Sequence, residues 1–197
     1  FILCLQGQTR GPETFNDDSF DEARFLENMK DNPGIVYNFY VSKLQALYLY
    51  EQYAEALNMA QEAETRVAYN FGSWSVVKQN VYYSLTLCAL YPNVDKEQQQ
   101  YYREKLTTNQ QQMKIWSENC PENFLHKYLL VEAEIARIEG RNREAVEYYR
   151  KAIEEARKHE FIQNEALGNE LLAKFWLAQG DEKAASIYMT DAHYGYR

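Results

Sequence analysis

Three segments of this chain share one spacing of small side chains, and that spacing limits the possible folds more than any other feature. LYEQYAEALNMAQEAE, IEGRNREAVEYYRKAIEEA and AQGDEKAASIYMTDA each carry an alanine, a larger or apolar residue four positions on, and another alanine three further. The positions are Ala56, Ala60 and Ala63; Ala145, Tyr149 and Ala152; and Ala185, Met189 and Ala192. In two of the segments a glycine, Gly140 or Gly180, stands five positions before the first alanine, and a further alanine, Ala133 or Ala173, stands seven before the glycine. Steps of four and three lie on one face of an α-helix. A face of alanines lets a second backbone approach closely, and the larger residue fills the gap against the next element. A glycine between two such faces marks the turn of a helical hairpin, so the expected unit is an antiparallel helix pair, repeated in series.

The rest of the chain agrees. Only 4 prolines and 8 glycines interrupt it, β-branched alternation is nearly absent, and apolar residues recur at three and four, so the chain reads as all-α. A helix is expected to open at Ser19, where SFDE forms a capping box with Glu22 and turns Phe25, Leu26 and Met29 inward. Asn32 then Pro33 starts the next. Boundaries follow near Glu51–Gln52, Phe71–Gly72, Pro92–Asn93, Cys120–Pro121, Gly140 (with Asn142 as the next cap), Glu160–Phe161 and Gly180, giving about nine helices. Connections this short make successive helices antiparallel.

The alanine signature after a glycine turn is the second half of the tetratricopeptide pattern. The expected fold is therefore a tetratricopeptide-like right-handed superhelix of antiparallel helix pairs, one domain over residues 1–197, with repeats near 36–70, 76–118 (degenerate), 121–159 and 161–197. Gly140 and Gly180 are 40 residues apart, against about 34 in the standard repeat, so the helices are longer.

Composition excludes several functions. A net charge of -8 and a pI near 5.0 repel nucleic acid and anionic membrane surfaces. Cys4, Cys88 and Cys120 are scattered, which suits a reducing cytoplasm rather than a disulfide framework. FILCLQ is too short to span a membrane and lacks a leader's basic start. With no initiating methionine, and DAHYGYR ending inside a helical pattern, the chain reads as a piece of a longer protein. No glycine-rich loop with a GK pair offers a nucleotide site, the acidic run around Asp17, Asp18, Asp21 and Glu22 lacks the calcium-loop glycine, and His126, His159 and His193 read as surface or helix-end residues, far from metal spacing. No cofactor, metal or catalytic group is expected.

Two biased features read as structure. EQQQYYREKLTTNQQQMKIW carries Tyr102, Leu106, Met113 and Trp116 as a gapped apolar stripe and so reads as a long solvated helix. The 17 tyrosines, several paired as Tyr82–Tyr83, Tyr101–Tyr102 and Tyr148–Tyr149, are expected to pack between helices more than to line a groove. A partner surface is expected on the concave side, where the first helix of each hairpin contributes residues spaced three, four and three: Lys127, Leu130, Glu134 and Arg137, then Leu167, Glu170, Lys174 and Leu177. This mixed surface suits a peptide or a neighbouring protein domain.

Longer phrases are more specific. LQALYLYEQYAEALNMAQEAE, YYSLTLCALYPN, CPENFLHKYLLVEAEIARIEGR and FIQNEALGNELLAKFWLAQGD resemble the helical-repeat region of very large bacterial multidomain kinases, over about Phe15 to Tyr196. Those proteins carry a serine/threonine-kinase-like domain, a predicted P-loop ATPase domain, the helical region, a GAF sensor domain and a histidine kinase. None of the family's catalytic motifs has matching positions here. The resemblance implies a non-catalytic interaction and signal-relay segment whose partners are other domains of the same kinase, with no nucleic acid and no membrane insertion. The alternative is a free-standing peptide-sensing repeat regulator; an unrecognised helical enzyme would need a convergent acid, base or nucleophile.

Overall fold

The computed structural model describes residues 1–70 and 72–197, and among them ten α-helices, two 3₁₀ turns and no strand. The helices gather into two compact units, Phe1–Gln98 and Gln99–Arg197. The first holds α1 (Ile2–Leu5), α2 (Glu22–Met29), α3 (Pro33–Leu49), α4 (Tyr53–Glu64) and α5 (Trp74–Leu90), with 3₁₀ turns at Val67–Asn70 and Tyr91–Asn93. The second holds α6 (Lys96–Asn119), which begins three residues before the division, then α7 (Pro121–Ile138), α8 (Asn142–Lys158), α9 (Ile162–Ala178) and α10 (Glu182–Gly195). The two helices of the expected degenerate repeat, α5 and α6, are divided by this boundary, with nearly all of α6 in the second unit.

Nine of these helices answer to the expected count, and α1 is an addition. FILCLQ folds because Cys4 is buried among Phe15, Phe39 and Ala46 and because the Tyr50 hydroxyl donates to the Cys4 carbonyl at 2.8 Å. The expected capping box at Ser19 is corrected. Asp21 is the cap of α2, its carboxylate accepting from the Arg24 N–H at 2.8 Å. Ser19 lies in a preceding turn in which Asp17 accepts from the Ser19 and Phe20 N–H groups. Glu22 then has other work: it accepts from the Phe15 N–H and pairs with Lys43 of α3. A carboxylate nearer the helix start outcompetes the serine for the orphan donors. Phe25 and Leu26 do pack inward, against the same aromatic cluster.

Asn32 caps α3 ahead of Pro33, as its sequence demands. The Phe71 half of the expected Phe71–Gly72 boundary lies outside the described residues; Gly72 has φ 79° and leads to Ser73, whose hydroxyl caps α5. Four of the remaining connections, those after α3, α7, α8 and α9, share one turn. At Gly140 the N–H of the glycine bonds to the Arg137 carbonyl and that of Arg141 to the Ala136 carbonyl; at Gly180 the same pair runs to Leu177 and Trp176. This left-handed C-terminal motif satisfies carbonyls that a helix end leaves open. It recurs without glycine at Glu51 (φ 60°) and Glu160 (φ 61°). Because the motif holds Arg141 outside the helix, Asn142 is the first helical residue rather than the cap, and its side chain donates to Gln179 at 3.2 Å.

The alanine seams are buried as expected. Ala56, Ala60 and Ala63 of α4, Ala133 of α7, Ala145 and Ala152 of α8, Ala173 of α9, and Ala185 and Ala192 of α10 are all buried. Close approach extends to Gly195, where an added Cβ would stand 2.8 Å from the Ala166 Cβ, and to Gly168 of α9, where it would stand 2.9 Å from Cγ1 of Ile153 on α8. Tyr83, Tyr102 and Tyr149 are the buried members of their pairs, while Tyr82 and Tyr148 are half-buried and Tyr101 is exposed, so the tyrosines pack as expected. In the first unit Tyr37 of α3 donates to Gln79 of α5 at 2.9 Å.

Candidate functional site

The predicted partner surface lies on α7 and α9 of the second unit, and the structure divides its eight residues into two groups. Leu130, Glu134 and Leu167 are buried and are corrected from surface to core. Leu130 lies against the helix above it, its Cδ1 3.8 Å from where a Cβ on Gly168 would stand. Glu134 is 3% exposed, and its carboxylate is fully engaged. It accepts a short hydrogen bond from the Tyr149 hydroxyl of α8 and a forked set from Arg137, whose Nη2 approaches to 2.6 Å. A buried carboxylate needs such partners. The spacing rule picks one face of each helix but not how far down that face the next helix reaches.

Lys127, Arg137, Glu170, Lys174 and Leu177 reach the surface. Leu177 is 59% exposed. Lys174 pairs with Glu170 at 2.6 Å, and the other Glu170 oxygen accepts from the Tyr196 hydroxyl at 2.7 Å. Arg137 is held by Glu134. Each of these two cations therefore meets a partner with a carboxylate already beside it, which lowers the net positive field that two free bases would give.

Lys127 is bound up differently. Its ammonium donates to the Asn123 carbonyl at 2.8 Å, lies 2.8 Å from Nε2 of His126 and sits 4.4 Å from the centre of the Phe161 ring. Burial pushes it down to about 8. The expectation that His126 is a surface residue is corrected: it is 2% exposed, with its ring 4.5 Å from that of Phe161. Burial, then the charges of Lys127 and His159, push it down to about 3, so it is neutral at pH 7. With the ammonium as donor, Nε2 is the acceptor and the ring proton belongs on Nδ1, which finds no partner. His159 stands at the end of α8, 3.4 Å from Glu155, and His193 is exposed on α10.

One recess lay outside the sequence-based expectation. Leu106 and Gln110 of α6 and Tyr128, Glu132, Ile135 and Ile138 of α7 line a groove of about 380 Å³. Gln110 is buried and donates to the Tyr128 carbonyl at 3.2 Å and to Glu132 at 2.7 Å. Burial, then the Glu132 carboxylate, raise the Tyr128 phenol. The signal was present: the gap in the stripe Tyr102, Leu106, Met113 falls at Gln110, four residues past Leu106. A buried amide occupies the gap in the apolar line.

Among the described residues no group of three or more His, Cys, Asp or Glu side chains is placed to hold a metal ion, and no helix is long and apolar enough to cross a membrane. The sequence model of a family described as "CHK1-like, TPR repeats" matches residues 17–189. No curated protein and no solved structure matches the chain.

Proposed function

The chain belongs to the CHK1-like family of TPR repeats, a fold whose usual role is to bind other proteins, and on that premise we propose that it is an interaction and signal-relay segment within a multidomain signalling kinase. The observation that carries the reading is the form of α7 and α9. Each sinks one face into alanine seams and keeps charged or apolar side chains, Arg137 on α7 and Glu170, Lys174 and Leu177 on α9, at the surface. Such a strip suits a mixed-charge peptide or domain surface. The kinase context rests on the resemblance of the long sequence phrases, and places the partners among the other domains of the same protein.

Lys174 is the cleaner probe of this surface. Reversing Arg137 would set a carboxylate beside buried Glu134 and unsettle the fold, whereas Lys174 is partly exposed and its partner Glu170 keeps a second donor in Tyr196. Lys174→Glu should weaken an acidic partner domain at least about tenfold in a titration. Binding that is unchanged would sink the assignment of this strip. Relay further requires that a partner distinguish two shapes of the repeat. Small-angle scattering of the multidomain protein with and without nucleotide reads this directly, and an unaltered profile would leave scaffolding alone.

A further inference from the structure

The 40-residue register that aligns Ala145 with Ala185 allows the outer surfaces of α8 and α10 to be compared residue by residue. On α8 the line facing solvent is Arg143, Glu147, Arg150 and Glu154, all exposed, with Arg143 paired to Glu147 at 3.2 Å. The corresponding line on α10 is Lys183, Ile187, Thr190 and Tyr194. Steps of four, three and four keep these side chains in one stripe, on the side away from Ala185 and Ala192. Ile187 is 57% and Tyr194 70% exposed, where α8 carries glutamates.

Another hairpin stacked on α10, as α9 is stacked on α8, does not account for this stripe. Such a layer would cover Met189, the counterpart of Tyr149, which is buried and approaches Phe175 of α9. It would leave the stripe open, because the α8 stripe remains exposed with α9 in place. Two apolar residues on the outer line call for a different cover.

We propose that the α10 stripe pairs with the α10 stripe of a second copy of this chain, antiparallel, about a two-fold axis through Ile187. Lys183 and Asp191, both exposed, stand four residues to either side of Ile187. An antiparallel pair centred there brings Lys183 of each copy level with Asp191 of the other, making two symmetric ion pairs around an Ile187–Ile187 contact. Parallel pairing would instead oppose lysine to lysine and aspartate to aspartate. Tyr194, seven residues from the centre, falls level with Gly180 of the other copy, a turn with nothing within 4 Å of where a Cβ would stand and so with room for a ring. One stripe of this length makes a small interface, so the association is weak and reversible. The ion pairs set orientation more than strength.

Sedimentation equilibrium of the 197-residue chain over micromolar to millimolar concentration tests this. A monomer–dimer equilibrium is expected. Ile187→Glu, which installs the residue α8 carries at the same place and should keep the native circular dichroism spectrum, should weaken dimerisation at least about tenfold. Lys183→Asp and Asp191→Lys should each weaken it, and the double variant should restore it. A chain that stays monomeric throughout would leave the stripe to a different protein and overturn the proposal. So would a dimer indifferent to Ile187→Glu, or a double variant no better than its singles.

Discussion

Two glutamates occupy a backbone conformation that the repeat elsewhere gives to glycine. Glu51 stands five positions before Ala56, as Gly140 and Gly180 stand five before Ala145 and Ala185, and its φ of 60° matches theirs in sign. The first repeat thus keeps the turn but hides the letter by which the other two were recognised. Glu160 repeats the departure between α8 and α9. A side chain with a Cβ is strained in this region by roughly 1 to 2 kcal/mol, part of which is offset by the freedom a glycine adds to the unfolded chain. Glu160→Gly should therefore raise stability by about 0.5 to 1 kcal/mol in urea unfolding. A loss would mean that the Glu160 side chain makes a contact stronger than the strain its removal relieves.

At the scale of elements, what joins one helix pair to the next is less regular than the pairs themselves. The connector after α8 turns through Phe161, and that ring covers both His126 and Lys127 of α7. Unfolded, an imidazole takes up its proton near 6.5; here it does so only near 3. Between those values the unfolded chain binds more protons, so stability is lost as pH falls. The unfolding free energy should fall from pH 6.5 to 5, above the range where carboxylates titrate, with a limiting slope of about 1.4 kcal/mol per pH unit, read by urea unfolding at each pH. His126→Phe should flatten that slope; an unaltered slope would place its origin elsewhere. Helix existence, length and most boundaries were legible in the sequence because periodicity and caps are local. The capping of α2 by Asp21 was not, because Glu22 is drawn away by Phe15 and Lys43, one of them on another helix. The α6–α7 groove was missed for a similar reason, since burial of Gln110 depends on acceptors that α7 supplies.

At the scale of the whole molecule, one sequence position has different energetic value in different repeats. Tyr149 and Met189 occupy the same place in the alanine pattern, but Tyr149 is 0% exposed and Met189 43%. Tyr149→Ala should cost about 3 to 5 kcal/mol, as for other large core truncations, whereas Met189→Ala should stay within about 1 kcal/mol. Equal losses in chemical denaturation would show that α10 is covered at Met189 in solution. The sequence by itself determined the all-α class, the hairpin unit, the alanine seams and the turns, because each depends on residues within a few positions of one another. One face of α7 and α9 carries the spacing expected of a partner surface. Only the tertiary structure decided which of those residues remain available: it removed Leu130, Glu134 and Leu167 into the core, tied Arg137 and Lys174 to carboxylates and folded Lys127 under Phe161. The physical reason is that periodicity specifies the direction of a side chain from its own helix, while exposure depends on whether another helix lies in that direction.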